Sequence, residues 1–304
     1  MGLYFFLFDF DGNFYLKEVS KLQNIYFQTP LFSTTPPPVE KPLPTPYLKK
    51  FPISYSHYFH AFREVQREIS KGNTYLLNLT FPTPIETNYT LSQIYHRTDA
   101  PFKLLFKDKF VCFSPERFVK IEGDQISTYP MKGTIDAQIP DARRKILENP
   151  KEMAEHLMVV DLLRNDLGII GKRVRVEKFR YIDEIYAGDR RLLQVSSKIT
   201  AQLPSDWHRH WVDLLRQLLP AGSISGTPKR KSVEIIRRVE GYERGYYTGI
   251  FGVVDPEGKR LESGVIIRYI EKTPTGLVYK SGGGITSDSN PEEEYRELLQ
   301  KVYF

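Results

Sequence analysis

The sequence predicts a single large α/β or β-rich unit with an N-terminal appendage. The chain has 304 residues, which is long for one ordinary domain. Strand-like apolar runs alternate along it with segments of helical periodicity. Much of the proline is concentrated in residues 34–52, a composition typical of an extended connector. We therefore predict a short N-terminal β region with its proline-rich connector at 1–52 and a main domain at 53–304.

Composition places the chain among ordinary globular proteins, with 40% hydrophobic and 26% charged residues. No apolar run approaches the roughly 18–20 residues that span a bilayer, so we expect no membrane association. The apolar start lacks the basic segment and cleavage site of a signal peptide. The single cysteine, Cys112, excludes an internal disulfide. These features predict a cytoplasmic protein.

The formal net charge of +6 is compatible with either a nucleic acid or a small anionic ligand. Short basic clusters occur at residues 229–231 and 237–238, and the other basic residues are spread along the chain. A non-catalytic, nucleic-acid-binding protein is therefore a remote alternative, which would show steeply salt-dependent binding. We expect no nucleic-acid partner.

The first elements follow from local patterns. Two aromatic-rich runs around Asp11-Gly12-Asn13 predict a β-hairpin. Residues 54–71 have apolar side chains at helical spacing and end before Gly72, which predicts a helix. Residues 74–81 are typical of a strand, and we expect its Asn78 to make a structural hydrogen bond.

Lys132 is the residue around which the middle of the chain is organised. It follows two strand-like runs, 110–113 and 116–121, and stands between Pro130 and Gly133. These residues restrict the backbone, and a lysine held in a desolvated position can serve as a base or nucleophile. The alternative is a solvated lysine on a turn at a strand edge.

Two helices each carry a pair of glutamates three residues apart. Residues 150–168 predict a buried helix with Pro150 in its first turn and Gly168 as its cap, and Glu152 and Glu155 share one face. Buried carboxylates must be paired or must bind a cation.

The second pair, Glu294 and Glu297, lies on a C-terminal helix that Asn290 and Pro291 begin. Carboxylate oxygens suit Mg²⁺, so the two pairs predict a magnesium site. The alternative is two solvated acidic helix faces.

Two further segments offer places for an anion. A glycine-rich loop opens a helix with Thr227 as predicted cap, and we count Lys229 at its start among the candidate substrate-binding residues. Its spacing is not that of a nucleotide-binding phosphate loop. Residues 264–271 predict one strand with Arg268 on an apolar face, where a bound carboxylate is a candidate partner. The three glycines at 282–284 allow a ligand to approach the backbone, or they form a flexible turn.

Six ordered motifs resemble those of the chorismate-utilising enzymes, over roughly residues 54–304. They are SPERF (114–118), PMKGT (130–134), EHLMVVDLLRNDLG (155–168), GSISGTPKRKSVEII (222–236), VIIR (265–268) and SGGGITSDSNPEEEYRELLQK (281–301). The resemblance implies an α/β (α+β) fold in which two packed β-sheets form a sandwich surrounded by helices, with a reduced N-terminal hairpin region. It also implies that residues 53–304 bind chorismate and Mg²⁺ in a deep cleft.

The resemblance assigns roles to individual positions. Glu155 and Glu297 would ligate the metal, while Glu152 and Glu294 would hold metal-bound waters. Glu116 would be the acid that assists departure of the ring hydroxyl. The remaining positions would bind substrate, with ring contacts from Gly133 and Thr134 and carboxylate contacts from Arg268 and the amides around Gly283 and Gly284.

Lys132 distinguishes between members of the family. Anthranilate-forming enzymes usually have alanine there, whereas aminodeoxychorismate synthases usually have lysine, thought to attack the ring. The resemblance thus implies conversion of chorismate and ammonia to 4-amino-4-deoxychorismate, for p-aminobenzoate and folate synthesis. No glutaminase nucleophile is apparent, so a separate glutamine amidotransferase subunit would supply ammonia. Anthranilate synthase component I is the alternative.

Three positions depart from the family pattern. Leu76 replaces a common glutamine and argues against the isochorismate and salicylate synthases, which have a lysine near there. Gln194 stands where many members have histidine, which weakens the anthranilate interpretation. Val253 replaces a common tyrosine, which leaves one expected substrate contact in doubt.

Overall fold

The computed structural model describes residues 2–40, 42–187 and 190–304. The strands are β1 (Tyr4–Phe8), β2 (Phe14–Glu18), β3 (Ile25–Gln28), β4 (Leu48–Lys50), β5 (Leu76–Thr87), β6 (Phe102–Phe106), β7 (Phe110–Ser114), β8 (Arg117–Glu122), β9 (Gln125–Thr128), β10 (Met131–Asp136), β11 (Lys172–Ala187), β12 (Arg190–Gln202), β13 (Gly226–Thr227), β14 (Ile250–Asp255), β15 (Arg260–Val265), β16 (Tyr269–Thr273) and β17 (Gly276–Ile285). The helices are α1 (Tyr55–Ser70), α2 (Leu91–Arg97), α3 (Ala142–Glu148), α4 (Pro150–Ile170), α5 (Trp211–Leu218), α6 (Gly222–Ser225), α7 (Lys229–Val239) and α8 (Pro291–Gln300).

These strands form two antiparallel sheets. The first has nine strands in the order β10-β12-β9-β8-β15-β14-β1-β2, with β11 on the free side of β12. The second has eight strands in the order β13-β5-β17-β16-β7-β6-β3, with β4 paired to β5. One apolar cluster joins β1 and β14 of the first sheet to β6 and β7 of the second. The predicted two-sheet sandwich is confirmed.

The N-terminal hairpin is confirmed, but it is not an appendage. β1 pairs with β2, and Gly12 in the connecting turn has a φ of +87°. β1 also pairs with β14, and β3 pairs with β6, so residues before the connector belong to both sheets. The reason is that β1 is apolar on both faces and needs cover on each. The boundary at residue 52 as a domain limit stays a prediction.

Helix α4 matches the predicted helix, with two differences. It continues through Gly168 to Ile170, and the residue that caps it is Gly171. It is not buried all round, since Leu157 is 48% and Ile169 57% exposed. The helix packs against β10, β11 and β12 of the nine-stranded sheet, and the part of its surface that faces away from these strands stays exposed. No helix in the described ranges is long and apolar enough to cross a membrane.

The predicted single strand at 264–271 is wrong. β15 ends at Val265 in the nine-stranded sheet, and β16 begins at Tyr269 in the eight-stranded sheet. The chain crosses between the sheets in the three residues between, and Arg268 takes a left-handed backbone conformation with φ +51°. The alternating sequence pattern is the same whether one sheet or two receive the strand, so it does not reveal the crossing.

The glycines at 282–284 lie in a strand and do not form a flexible turn. They are the last part of β17, which pairs with β5 through Ile285. A side chain at Gly282 would place its Cβ 2.3 Å from the carbonyl oxygen of Leu79, so close strand packing requires glycine there. Helix α8 follows, and the side chain of Asn290 caps it as predicted.

Candidate active site

A cavity of about 280 Å³ lies between the two sheets and brings most of the predicted site residues together. β8 to β10 of the first sheet and β5 and β17 of the second contribute to its wall, with α4 and α6. The predicted residues that line it are Glu116, Lys132, Gly133, Thr134, Arg268, Gly283, Gly284 and Glu297.

Lys132 reaches into this cavity from an irregular part of β10. The pairing of β10 with β12 shifts register between Met131 and Thr134, and Gly133 has a φ of +83°. Such a bulge redirects side chains relative to a regular strand. The ammonium of Lys132 donates to Oε2 of Glu155 on α4 at 3.2 Å. The lysine is therefore held against a carboxylate and is not a solvated residue at a strand edge.

Glu116 precedes β8 and accepts a hydrogen bond from the hydroxyl of Ser223 on α6. Burial raises the pKa of Glu116, while Ser223 and the charges of Lys132, Arg268 and Lys301 oppose that rise. Glu116 is partly accessible and lines the cavity. A carboxyl with a raised pKa is suited to donate a proton.

Arg268 and Lys301 make one end of the cavity positive. The Nε of Arg268 donates to the hydroxyl of Tyr303 at 3.2 Å. Lys301 donates to the carbonyl oxygen of Gly282 at 2.7 Å and pairs with Glu297, and burial lowers the pKa of Lys301. Two basic side chains that line the same cavity are suited to an anionic ligand.

Lys301 and Ser223 were not predicted from the sequence as site residues. A signal for Lys301 was present, because it follows Glu297 by four residues and so lies on the same side of α8. Ser223 carried no such signal, because its contact with Glu116 joins residues 107 positions apart.

The four predicted metal carboxylates lie around the glycines of β10 and β17. A Cβ added to Gly133 would lie 3.1 Å from Oε2 of Glu152, and a Cβ added to Gly283 would lie 3.3 Å from Oε2 of Glu294. Glu294 also accepts a hydrogen bond from Ser289 at 2.8 Å.

These carboxylates supply the oxygen atoms that Mg²⁺ prefers, but they do not form a metal site as they stand. Glu155 and Glu297 are each neutralised by a lysine. Among the described residues, no three acidic, histidine or cysteine side chains converge on a point that would hold an ion. A cation could reach both glutamates only by displacing the two ammonium groups.

Lys229 does not line the cavity. Its ammonium donates to Oδ1 of Asp166 at 2.9 Å and to the carbonyl oxygen of Leu218 at 2.8 Å, so it joins α7 to α4. Thr227 belongs to β13, and Pro228 precedes the helix without a side-chain cap, contrary to the predicted Thr227 cap. Since both acceptors of Lys229 belong to the protein, this placement does not support the predicted substrate contact.

The departures from the family pattern fall in different environments. Gln194 on β12 lines the cavity and pairs with Thr134 on β10. Leu76 packs beside Gly284, and a Cβ added to that glycine would lie 3.1 Å from Cδ1 of Leu76. Val253 is fully buried in the apolar cluster between the sheets and does not line the cavity, so its effect is on packing. Asn78 makes the predicted structural hydrogen bond, to the carbonyl oxygen of Ile224.

Comparison with known proteins places these features in one family. The model of the family described as chorismate binding enzyme matches residues 9–304. An uncharacterized PabA-like protein of Haemophilus influenzae is 50% identical over 303 residues, which are 99% of this chain and 91% of the relative. The aminodeoxychorismate synthase component 1 of Salmonella typhimurium is 35% identical and is matched over 81% of this chain. The chain spans 56% of that relative's length.

A solved structure shares the fold. Anthranilate synthase component I of Streptococcus pneumoniae superimposes with a TM-score of 0.70 and 22% sequence identity, over 84% of this chain and 58% of that one. At this identity the likeness shows the architecture alone. Because the family model matches residues 9–304, we conclude that this chain belongs to the chorismate-binding enzyme family.

Proposed function

We propose that the chain is the chorismate-aminating component of an aminodeoxychorismate synthase, which converts chorismate and ammonia to 4-amino-4-deoxychorismate. The observation that carries the proposal is the position of Lys132, whose amine lies in the cavity shared with Glu116 and Arg268. A lysine in that place favours covalent chemistry on the ring. The named synthase relative supports the same choice.

In the proposed reaction, the neutral amine of Lys132 attacks C2 of chorismate. Both ring double bonds shift, the C4–O bond breaks, and Glu116 delivers the proton with which the hydroxyl leaves as water; Glu116 then takes back the proton that the adduct nitrogen loses. Ammonia then adds at C4, the double bonds shift back, and the C2–N bond to Lys132 breaks as the lysine nitrogen takes the proton that the new amine loses. Two displacements thus replace one difficult substitution. Arg268 and Lys301 would hold the substrate carboxylates meanwhile.

We propose that ammonia comes from a separate glutamine amidotransferase subunit. The only cysteine of the sequence, Cys112, is fully buried in β7, and burial raises the pKa of its thiol. A buried, protonated thiol is not a glutaminase nucleophile. The relative's designation as component 1 is consistent with a partner.

Magnesium remains a proposal that rests on donor chemistry, with Glu155 and Glu297 as its ligands. The ion pairs with Lys132 and Lys301 must first open, so the reaction steps above do not depend on it.

The test is to incubate the purified chain with chorismate, Mg²⁺ and ammonium and to identify the products by chromatography and mass. The proposal expects a product that aminodeoxychorismate lyase converts to p-aminobenzoate. Fluorescent anthranilate without the lyase would instead identify an anthranilate synthase component I. The incubation is repeated with a glutamine amidotransferase and glutamine, and unchanged chorismate in both would refute the proposed activity.

A further inference from the structure

We propose that Ser223 is a positioning residue for Glu116, and that the buried side chain of Arg244 holds the short helix from which Ser223 acts. This inference deepens the proposed function, because it concerns how the acid of the proposed reaction is aimed. It rests on a chain of contacts from the cavity into the protein interior, through side chains to which the resemblance assigns no role.

The first contact is between Ser223 and Glu116. In the described part of the chain, Ser223 provides the side-chain hydrogen bond that the Glu116 carboxylate accepts. The titratable and charged groups that face Glu116 are Lys132 on β10, Arg268 at the sheet crossing, Lys301 after α8, and Tyr247 before β14. They act on it by charge at a distance, and a single directed bond determines where the carboxyl points.

The second contact fixes the helix that carries Ser223. α6 has only four residues, and a helix of one turn is not stable by itself. The carbonyl oxygen of Ile224 accepts from Nη1 of Arg244 at 2.9 Å and from the amide of Asn78 at 3.1 Å. The residue next to Ser223 is therefore tied to β5, whose Asn78 also lines the cavity.

Arg244 has no freedom to turn away. Its Nε and Nη2 bind the two carboxylate oxygens of Glu240, Nη2 also binds the carbonyl of Asn78, and Nη1 also binds Thr248. All five guanidinium hydrogens thus have acceptors. Arg244 is 2% and Glu240 5% exposed, and Glu240 accepts from both the backbone and the hydroxyl of Thr80. Because all the hydrogen bonds of this buried pair are satisfied, the Arg244 side chain is held in one position. Its bond to the Ile224 carbonyl therefore fixes the position of α6.

The hydrogen bond from Ser223 changes the pKa of Glu116 in a definite direction. A donor favours the ionised carboxylate, so Ser223 lowers the pKa of Glu116 from the value that burial alone would produce. Ser223→Ala should therefore raise that pKa further and release the carboxyl from its orientation. In the proposed reaction the protonated acid is active, so the alkaline limb of the activity profile should move to higher pH.

The test compares three single substitutions in the full chain. Ser223→Ala removes the hydroxyl, Ser223→Thr retains it, and Ser225→Ala removes a buried hydroxyl of the same helix that donates to Ala221 instead. The carboxyl titration of Glu116 is followed without substrate by isotope-edited infrared spectroscopy, with Glu116→Gln to assign the band. We expect an upward-shifted midpoint in Ser223→Ala, with turnover lowered about tenfold. The other two should titrate as the unchanged chain does.

Equal midpoints in Ser223→Ala and the unchanged chain would overturn the proposal, as would an equal shift in Ser225→Ala. The infrared measurement needs no turnover, so it distinguishes this inference from the proposed function. A chain that makes anthranilate would leave the titration result valid. If Ser223→Ala shows the expected upward shift of the Glu116 midpoint but no loss of turnover, Ser223 affects the pKa of Glu116 without positioning it for the reaction.

Discussion

At the scale of single residues, two ion pairs lie at the cavity and neutralise four charged side chains. Lys132 neutralises Glu155, and Lys301 neutralises Glu297, so each predicted ligand of a cation already has a positive partner. A ligand that binds through these four side chains must exchange with one of these pairs. An anion can take the ammonium groups while a cation takes the carboxylates, which makes joint binding of the two favourable.

Lys132→Ala should abolish covalent capture of chorismate while the chain remains folded, because the attacking amine is removed and the side chain is only partly buried. Intact-mass analysis after rapid acid quench measures the adduct. Lys272→Ala removes an exposed lysine paired with Asp108 and serves as the control. An adduct of equal yield in Lys132→Ala would show that another residue is the nucleophile.

Glu155→Gln and Glu297→Gln should each weaken Mg²⁺ binding at least tenfold, since a magnesium site that loses a carboxylate loses ligand charge. Titration calorimetry in the presence of chorismate measures the binding directly. Glu234→Gln, on the exposed face of α7, is the control. If both variants bind Mg²⁺ as tightly as the control does, the metal binds elsewhere.

The sequence was informative about residues that occur in motifs and uninformative about residues that act through tertiary contacts. Eight of the predicted positions line one cavity. Lys229 was misplaced because its position at a helix start does not reveal that Asp166 lies beside it. Ser223 was missed because its partner is distant in sequence and a serine in a glycine-rich loop has many ordinary uses.

At the scale of elements, local signals predicted which segments form helices and the first hairpin, but not the assignment of strands to sheets. Asn290 caps α8 and the Asp-Gly turn forms the first hairpin as predicted, whereas the predicted caps Gly168 and Thr227 were wrong. These signals depend on neighbours within four residues. β15 and β16 are separate strands because they belong to two different sheets. Tertiary packing determines that separation, so the sequence pattern did not predict it.

Strand β6 contains a lysine that the fold tolerates at a cost. Lys103 is buried beneath α2, with its ammonium 4.4 Å from the centre of the Tyr95 ring, and burial lowers its pKa. A lysine with a lowered pKa in the folded state destabilises the protein while it is charged, and the penalty disappears as pH rises through that pKa. Stability contributed by this residue therefore improves at alkaline pH.

Lys103→Met should accordingly raise the free energy of unfolding by on the order of 1 kcal/mol at pH 7, because it removes a buried charge and retains the volume. The gain should shrink toward pH 11. Urea denaturation at several pH values measures it, with the exposed Lys49→Met as control. A gain that grows with pH would contradict this account of Lys103.

At the scale of the whole molecule, β1 connects the cores on both sides of the nine-stranded sheet. Phe5 and Leu7 pack in the cluster between the sheets, whereas Phe6 and Phe8 pack with α4 and α5. The resemblance to the family predicted the two sheets, but it covered only residues from about 54 onward. It implied a reduced N-terminal hairpin region but not that the N-terminal strands join both sheets, which the structure reveals.

Phe5→Ala and Phe6→Ala should each lower the free energy of unfolding by about 3–5 kcal/mol, because each leaves a cavity in a different core. Leu16→Ala on the neighbouring strand, where the side chain is 44% exposed, should change it by less than about 1 kcal/mol. Denaturant unfolding followed by fluorescence measures all three. Small effects of both phenylalanine changes would mean that the hairpin is dispensable.

The crossing between β15 and β16 has a consequence for how the protein acquires its activity. Arg268 reaches its place only when the strand before it and the strand after it have each joined a different sheet. The cavity also takes Asn78 and Lys301, which are 223 positions apart in the sequence. Contacts so distant in sequence close late and slowly during folding. Newly made or refolding chains should therefore regain helical and sheet signals first and ligand binding last, so that occupancy of the cavity reports completed folding.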